Sequence, residues 1–246
     1  AMAVEKVRHA GDLVACVAAI DEATAREAER LIEVEYELIE PIHDMRKGLE
    51  DSGEPIHDRG DYHIGESNIQ KRVFQEFGDI EGMIENSVAS HKKNWIFAGV
   101  NHAFTEPHAV VAHWDPTGRL TLYTPQQVPH YVHRALADVL EIPMHQINVH
   151  RTFVGGGFGG KSDPFPHEMC AAILARKSGK PVRITFDREE VYWVNRGRHP
   201  SRIEMNLHAD EEGRICGIET DALIDGGAFA SFGHVTTYYN GVLHTA

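Results

Sequence analysis

The chain has 246 residues, 42% hydrophobic and 25% charged, enough to bury a core in one or two domains. Its formal charge of -13 disfavours a nucleic-acid partner, because no basic face offsets that charge cheaply. Cys16, Cys170 and Cys216 are far apart and lack Cys-x-x-Cys spacing, which fits reduced thiols in a cytoplasmic protein and argues against a cysteine-only iron–sulfur or zinc site.

Leu13 to Ile20 is an apolar run too short to span a bilayer and predicts a buried strand. No charged-then-apolar leader precedes it, so the expectation is a protein that is not exported, and Ala1-Met2 reads as an addition ahead of the native start. Glu22 to Ile32 carries apolar residues at helical spacing behind a possible Asp21 N-cap. Ile32 to Tyr36 alternates like a second strand, so residues 3–48 read as a small α+β module. From Lys47 to Asp79 periodicity dissolves into Gly, Asp, His and Pro, the best candidate for a linker. The expected division is therefore 3–72 and 73–246.

Asp79 to Ser87 is weakly helical. Lys92 to Ala98, Ala109 to Trp114 and Leu120 to Tyr123 are strand-like, with Asp115-Pro116-Thr117-Gly118 a turn between the last two. Val128 to Leu140 predicts an amphipathic helix, Gln146 to Val154 a strand, and Pro164 to Lys177 a helix with Ser162 or Asp163 as its N-cap. Pro181 to Phe186 is a further strand, and Ile203 to His208 with Ile215 to Leu223 a hairpin. The chain stops at Ala246 without a finished element, which predicts a piece of a longer protein.

Between the strand at 146–154 and the following helix lies Val154-Gly155-Gly156-Gly157-Phe158-Gly159-Gly160-Lys161-Ser162, with five glycines in six positions. Bare main chain at such a place offers N–H groups to an anion or an oxo ligand. Gly155-x4-Gly160-Lys161-Ser162 satisfies the P-loop pattern, and Gly155-x-Gly157-x-x-Gly160 the dinucleotide fingerprint. Asp163-Pro164 argues against the first, since an acidic side chain would sit beside the phosphate. The second lacks an acidic residue ending the next strand of a parallel unit.

The stretch Val154 to Lys161 resembles the glycine loop of molybdenum-binding subunits of the xanthine oxidase family. Lys6 to Asp12, Val14-Ala15 and Glu33 to Tyr36 resemble the second half of that family's α/β-hammerhead domain. Phe77-Gly78-Asp79, His102-x3-Glu106-Pro107 and Thr124-x-Gln126-Gln127-x-Pro129-His130 resemble its first molybdopterin-binding domain, in the family's order. Gly160 to Glu168 and Trp193 to Pro200 are most similar to the 4-hydroxybenzoyl-CoA reductase branch, and Ser162 stands where purine and aldehyde hydroxylases often carry a glutamate. The resemblance implies an α+β fold of mixed sheets with flanking helices, a molybdopterin-type cofactor, and iron–sulfur clusters and FAD on partner subunits. It implies reductive dehydroxylation of 4-hydroxybenzoyl-CoA to benzoyl-CoA in aromatic degradation, with the catalytic glutamate outside this chain. A non-catalytic scaffold or assembly subunit is the alternative in another class.

Under that resemblance the cofactor-binding candidates are Gln127, Gly156, Gly157, Phe158, Gly159 and Gly160, with Gln126 the register alternative to Gln127. Phe158 and Ser162 are substrate-pocket candidates, and no protein side chain is expected to ligate metal directly. Lys161 is expected to close the loop rather than hold a ligand, and Glu106 to form a structural corner. His130 with His133, and His145 with His150, have no third ligand at supporting spacing. Arg196, Arg198 and His199 read as a salt-bridged turn more readily than as an anion site.

Overall fold

The computed structural model describes residues 2–50, 55–57, 68–229 and 231–242. In chain order the elements are α1 (Glu22–Arg30), α2 (Ile80–Glu85), β1 (Ala89–Phe97), β2 (Ala109–Trp114), β3 (Leu120–Thr124), α3 (Pro129–Leu140), β4 (Ile147–Arg151), α4 (Pro166–Ser178), β5 (Val182–Thr185), α5 (Arg188–Val194), β6 (Ser201–Ala209), β7 (Ile215–Ile224) and α6 (Gly233–Val242). The result is a mixed α/β architecture of sheets with flanking helices.

Contacts divide the chain into two compact units, Ala1–Leu38 with Asn101–Gly197, and Ile39–Val100 with Arg198–Ala246. The expected division at 72/73 describes contiguous segments, whereas both compact units are discontinuous.

In the first unit the sheet order is β4-β3-β2-β5, with β3 and β4 parallel and β2 antiparallel to both its neighbours. Alternation along β2 and β3 buries Val110, Ala112, Leu120 and Leu122, which is the period-2 signature of a sheet covered on one face. Val132, Leu136 and Leu140 of α3 and Met169, Ala171, Ala172 and Ala175 of α4 complete that core. The β2–β3 turn is held by Asp115, whose Oδ1 accepts from the amides of Thr117 at 2.9 Å and Arg119 at 3.0 Å. Gly118 there has φ +81°, a value glycine adopts without steric cost.

The second unit holds an antiparallel sheet ordered β1-β6-β7, with β6 and β7 forming the expected hairpin. Helices α2 and α6 pack against β7.

Three expectations need correction. Leu13 to Ile20 and Ile32 to Tyr36 form no strands; residues 31–40 are almost entirely exposed and join no ladder. β-propensity without a sheet edge to pair with does not make a strand. The α1 helix forms as expected, with Asp21 accepting from Thr24 N at 2.8 Å. Helix α4 starts at Pro166, not Pro164, with Phe165 as N-cap and the Glu168 carboxylate accepting from Phe165 N at 3.0 Å. Pro166 fills the first-turn position because its missing N–H is not needed there. Helices α5 and α6 were not legible, although Asp187 and Glu190 form a capping box on α5. The 47–79 stretch lies partly outside the described residues.

Candidate functional site

The site is assembled wholly within the first unit, where β4 ends at Arg151 and α4 begins at Pro166. Glu106 ties the two ends of the intervening loop together. Its Oε2 accepts from Gly155 N at 2.7 Å and from Lys161 Nζ at 2.7 Å. Glu106 N in turn donates to Gly155 O at 3.2 Å. The Lys161 ammonium also stands over the Phe104 ring at 4.7 Å. Burial pushes the Lys161 pKa down from its ordinary value, against the opposing pull of Glu106.

Gln127 holds the middle of the loop. Its N–H donates to Lys161 O at 2.8 Å, and its Oε1 accepts from the amides of Gly159 at 3.0 Å and Lys161 at 3.2 Å. This fixes the amide orientation, because only the oxygen satisfies two N–H donors. The amino group is left as a donor on an exposed residue, with no acceptor among the described residues. A Cβ at Gly157 would lie 2.4 Å from Gln127 Oε1, so glycine is required for this approach.

Loop conformation follows from the same sequence. Gly156 and Gly159 have φ of +96° and +92°, and Phe158, at +50°, is a non-glycine residue in the left-handed region. Gly160 N donates to Gly157 O at 2.7 Å, and Ser162 Oγ donates to Gly159 O at 2.6 Å. The Phe158 side chain is 74% exposed and therefore does not plug the loop against the core. The amides of Gly156, Gly157 and Phe158 donate to no described residue.

Behind the loop is a buried polar layer that sequence reasoning largely missed. Gln126 is buried and donates through Nε2 to Asp163 O at 2.6 Å and Glu168 Oε1 at 3.2 Å, so the exposed partner of the loop is Gln127. Thr124 Oγ1 donates to Glu168 Oε1 at 2.9 Å. His108 Nε2 contacts Gly160 O at 3.3 Å, and burial brings its pKa down to about 4, so the ring is neutral and donates from that nitrogen. The only sequence signal for Glu168 was an acidic residue three positions after Phe165, near a Pro-led helix start.

Burial raises the Glu168 carboxyl from 4.5 to about 7. The folded chain therefore binds that proton more tightly than the unfolded chain. The stabilisation is complete below about pH 4.5 and is lost as pH rises through 7. Relative to Glu168→Gln, the wild type is expected to lose on the order of 3 kcal/mol between pH 5 and pH 8. Denaturant titration at both pH values measures this, and a pH-independent difference would contradict it.

Other sequence candidates are not gathered here. His133 Nε2 contacts Met144 O at 2.9 Å, and His150 contacts Asn148 Nδ2 at 2.9 Å while stacking on Tyr123. No group of three His, Cys, Asp or Glu residues able to hold a metal occurs among the described residues. Arg196 is buried and pairs with Asp163, while Arg198 forms a backbone bridge with Val100.

The P-loop reading fails on geometry. Lys161 is committed to Glu106, and the helix opens four residues after Ser162 instead of at it. Asp187, two residues past the end of β5, caps α5 by accepting from Glu190 N at 2.8 Å. Saturating Mg-ATP is expected to leave the melting temperature unchanged; a rise abolished by Lys161→Ala would revive that reading.

A family model for the molybdopterin cofactor-binding domain matches residues 63–246. The chain is 31% identical over 234 residues to a xanthine dehydrogenase molybdenum-binding subunit from Escherichia coli O157:H7, covering 95% of this chain and 30% of that protein. It is 33% identical over 236 residues to the nicotinate dehydrogenase large molybdopterin subunit of Eubacterium barkeri, covering 93% of this chain and 52% of that protein. Among solved structures, quinoline 2-oxidoreductase from Pseudomonas putida 86 matches with a TM-score of 0.80 at 30% identity, over 90% of this chain and 28% of the other. The chain thus spans between about a third and a half of the length of these relatives.

Proposed function

The chain belongs to the molybdopterin cofactor-binding domain family, and on that premise we propose that it is part of the molybdenum-binding subunit of a xanthine-oxidase-type oxidoreductase. The partners in this reading are an iron–sulfur subunit, an FAD subunit and the remainder of the molybdenum subunit, in the cytoplasm. No helix among the described residues is long and apolar enough to cross a membrane.

The residues present fit such a cofactor. One observation carries the reading: Gln127 is locked by two loop amides through its oxygen, leaving an uncharged N–H donor on an exposed residue. Glycine at 157 leaves no Cβ between that amide and the loop. Gln127, with the amides of Gly156, Gly157 and Phe158, would hold the cofactor's oxygen atoms by neutral hydrogen bonds. Gly159 and Gly160 serve this arrangement by shape, since the Gly159 amide is spent on Gln127 and the Gly160 amide on Gly157 O. When bound, the cofactor supplies two-electron redox chemistry at molybdenum, and the protein's part is to orient the ring and exclude competing reactions. Phe158, exposed at the loop's crest, would face the aromatic substrate. Ser162, the other residue that would border the substrate, has its hydroxyl turned back on Gly159 O at 2.6 Å.

The narrower reading is reductive dehydroxylation of 4-hydroxybenzoyl-CoA, consuming two electrons and two protons and releasing water. It rests on the likeness of residues 160–168 and 193–200 to that branch. Hydroxylation of an N-heteroaromatic ring is the second reading, favoured by the names of the nicotinate, xanthine and quinoline relatives.

The test is co-expression of the complete subunit with its iron–sulfur and FAD partners, followed by molybdenum and pterin analysis and assay on 4-hydroxybenzoyl-CoA, xanthine, nicotinate and quinoline. Bound molybdopterin with turnover of one ring class is expected. Stable association without cofactor would replace this reading with the scaffold one. Turnover of a heteroaromatic but not of the thioester would discard the narrower reading alone.

A further inference from the structure

Glu168 is fully buried at the start of α4, and the proposed chemistry assigns it nothing. Its carboxylate accepts from Thr124 Oγ1 at 2.9 Å, Gln126 Nε2 at 3.2 Å and Phe165 N at 3.0 Å. Thr124 and Gln126 flank Pro125, whose ring fixes φ, so gripping these two side chains leaves the segment leading to Gln127 little freedom. Gln126 Nε2 is committed to Glu168 and to Asp163 O, while its own Oε1 is buried without a partner among the described residues. A buried carbonyl left unpaired is costly, so the donor side of that amide is what this arrangement preserves.

We propose that Glu168 is a positioning residue for the cofactor: by clamping Thr124 and Gln126 to the base of α4, it sets the orientation in which Gln127 grips the glycine loop and presents its amino group. This deepens the function proposed above and rests on it. Gln127 then has two supports, the loop amides of Gly159 and Lys161 in front and the Glu168 clamp behind. Removing the clamp frees the Thr124–Gln127 turn, and the two loop amides lose a fixed acceptor. Gly155, bound to Glu106, keeps its own.

The experiment uses the complete subunit in its complex, with Glu168→Ala, Gln127→Ala and the double variant, and Gln126→Ala should Glu168→Ala not accumulate. Hydrogen exchange in the peptide covering residues 156–162 reads the positioning without any requirement for cofactor. The Mo(V) electron paramagnetic resonance signal after dithionite reduction reads the environment of the metal. Glu168→Ala or Gln126→Ala is expected to accelerate exchange at Gly159 and Lys161 tenfold or more and to alter the Mo(V) signal. In a Gln127→Ala background neither change should recur, because the residue through which Glu168 acts is gone. Unchanged exchange in both clamp variants would overturn the proposal, and so would equal effects with and without Gln127, the mark of a merely structural role. If Gln127→Ala itself leaves the Mo(V) signal untouched while exchange behaves as expected, the reading of Gln127 as a cofactor contact falls, and the positioning role with it.

Discussion

Glu106→Ala is expected to destabilise the first unit by about 3 kcal/mol, because it leaves the Lys161 ammonium buried without its counter-charge. The asymmetry of the pair makes the prediction sharp. The Lys161 side chain is 1% exposed and the Glu106 side chain 34%. Lys161→Met therefore costs less, roughly 1 kcal/mol, since the carboxylate left behind regains water and keeps Gly155 N as a donor. The double variant Glu106→Gln with Lys161→Met should lie closer to the wild type than Glu106→Ala alone, because no unpaired buried charge remains. Thermal denaturation should place Glu106→Ala lowest by roughly 5–10 °C. Equal losses on removing either partner would show that the ion pair is not what closes the loop.

Gly157→Ala is expected to have the largest effect on cofactor retention for the smallest chemical change. The added Cβ falls 2.4 Å from Gln127 Oε1 and 2.7 Å from its Cδ, distances that require the amide to leave. Two hydrogen bonds to the loop go with it, so the expected cost is about 2 kcal/mol together with most of the bound molybdenum. Gly118→Ala is the matched control. Nothing lies within 4 Å of its would-be Cβ, so only the strain of φ +81° remains, about 1 kcal/mol, with cofactor content unchanged. In a Gln127→Ala background the stability cost of Gly157→Ala should largely vanish, since the clashing group is gone. Metal analysis of the purified complex and denaturant titration measure the two halves of this prediction, and full molybdenum content in Gly157→Ala would refute it.

Much of the fold was legible because its signals are local. Alternating burial along β2 and β3, the Asp-Pro-Thr-Gly turn and the helical spacing of Val132, Leu136 and Leu140 each fit within a window of a few residues. The failures at 13–20 and 32–36 have the opposite character. Those stretches have strand-like composition, and a strand exists only where a neighbouring edge accepts its ladder. The start of α4 was misplaced by two residues because Pro164 and Pro166 both suit a first turn. The Glu168 carboxylate on Phe165 N decides between them.

The sequence alone determined the material of the site: a run of glycines that bare the main chain, a pair of glutamines at 126 and 127, and a lysine closing the run. It also carried the likeness to molybdenum-binding subunits, which the family match at residues 63–246 establishes for the domain. Only the tertiary structure decided which side chains that loop answers to. Glu106 reaches Lys161 across 55 positions, Gln127 reaches Gly159 across 32, and Glu168 reaches Thr124 across 44. A short window of sequence encodes periodicity and turn chemistry. The partner of a buried charge or amide is instead selected by which strand lies beside which helix, through long-range packing that no local pattern specifies.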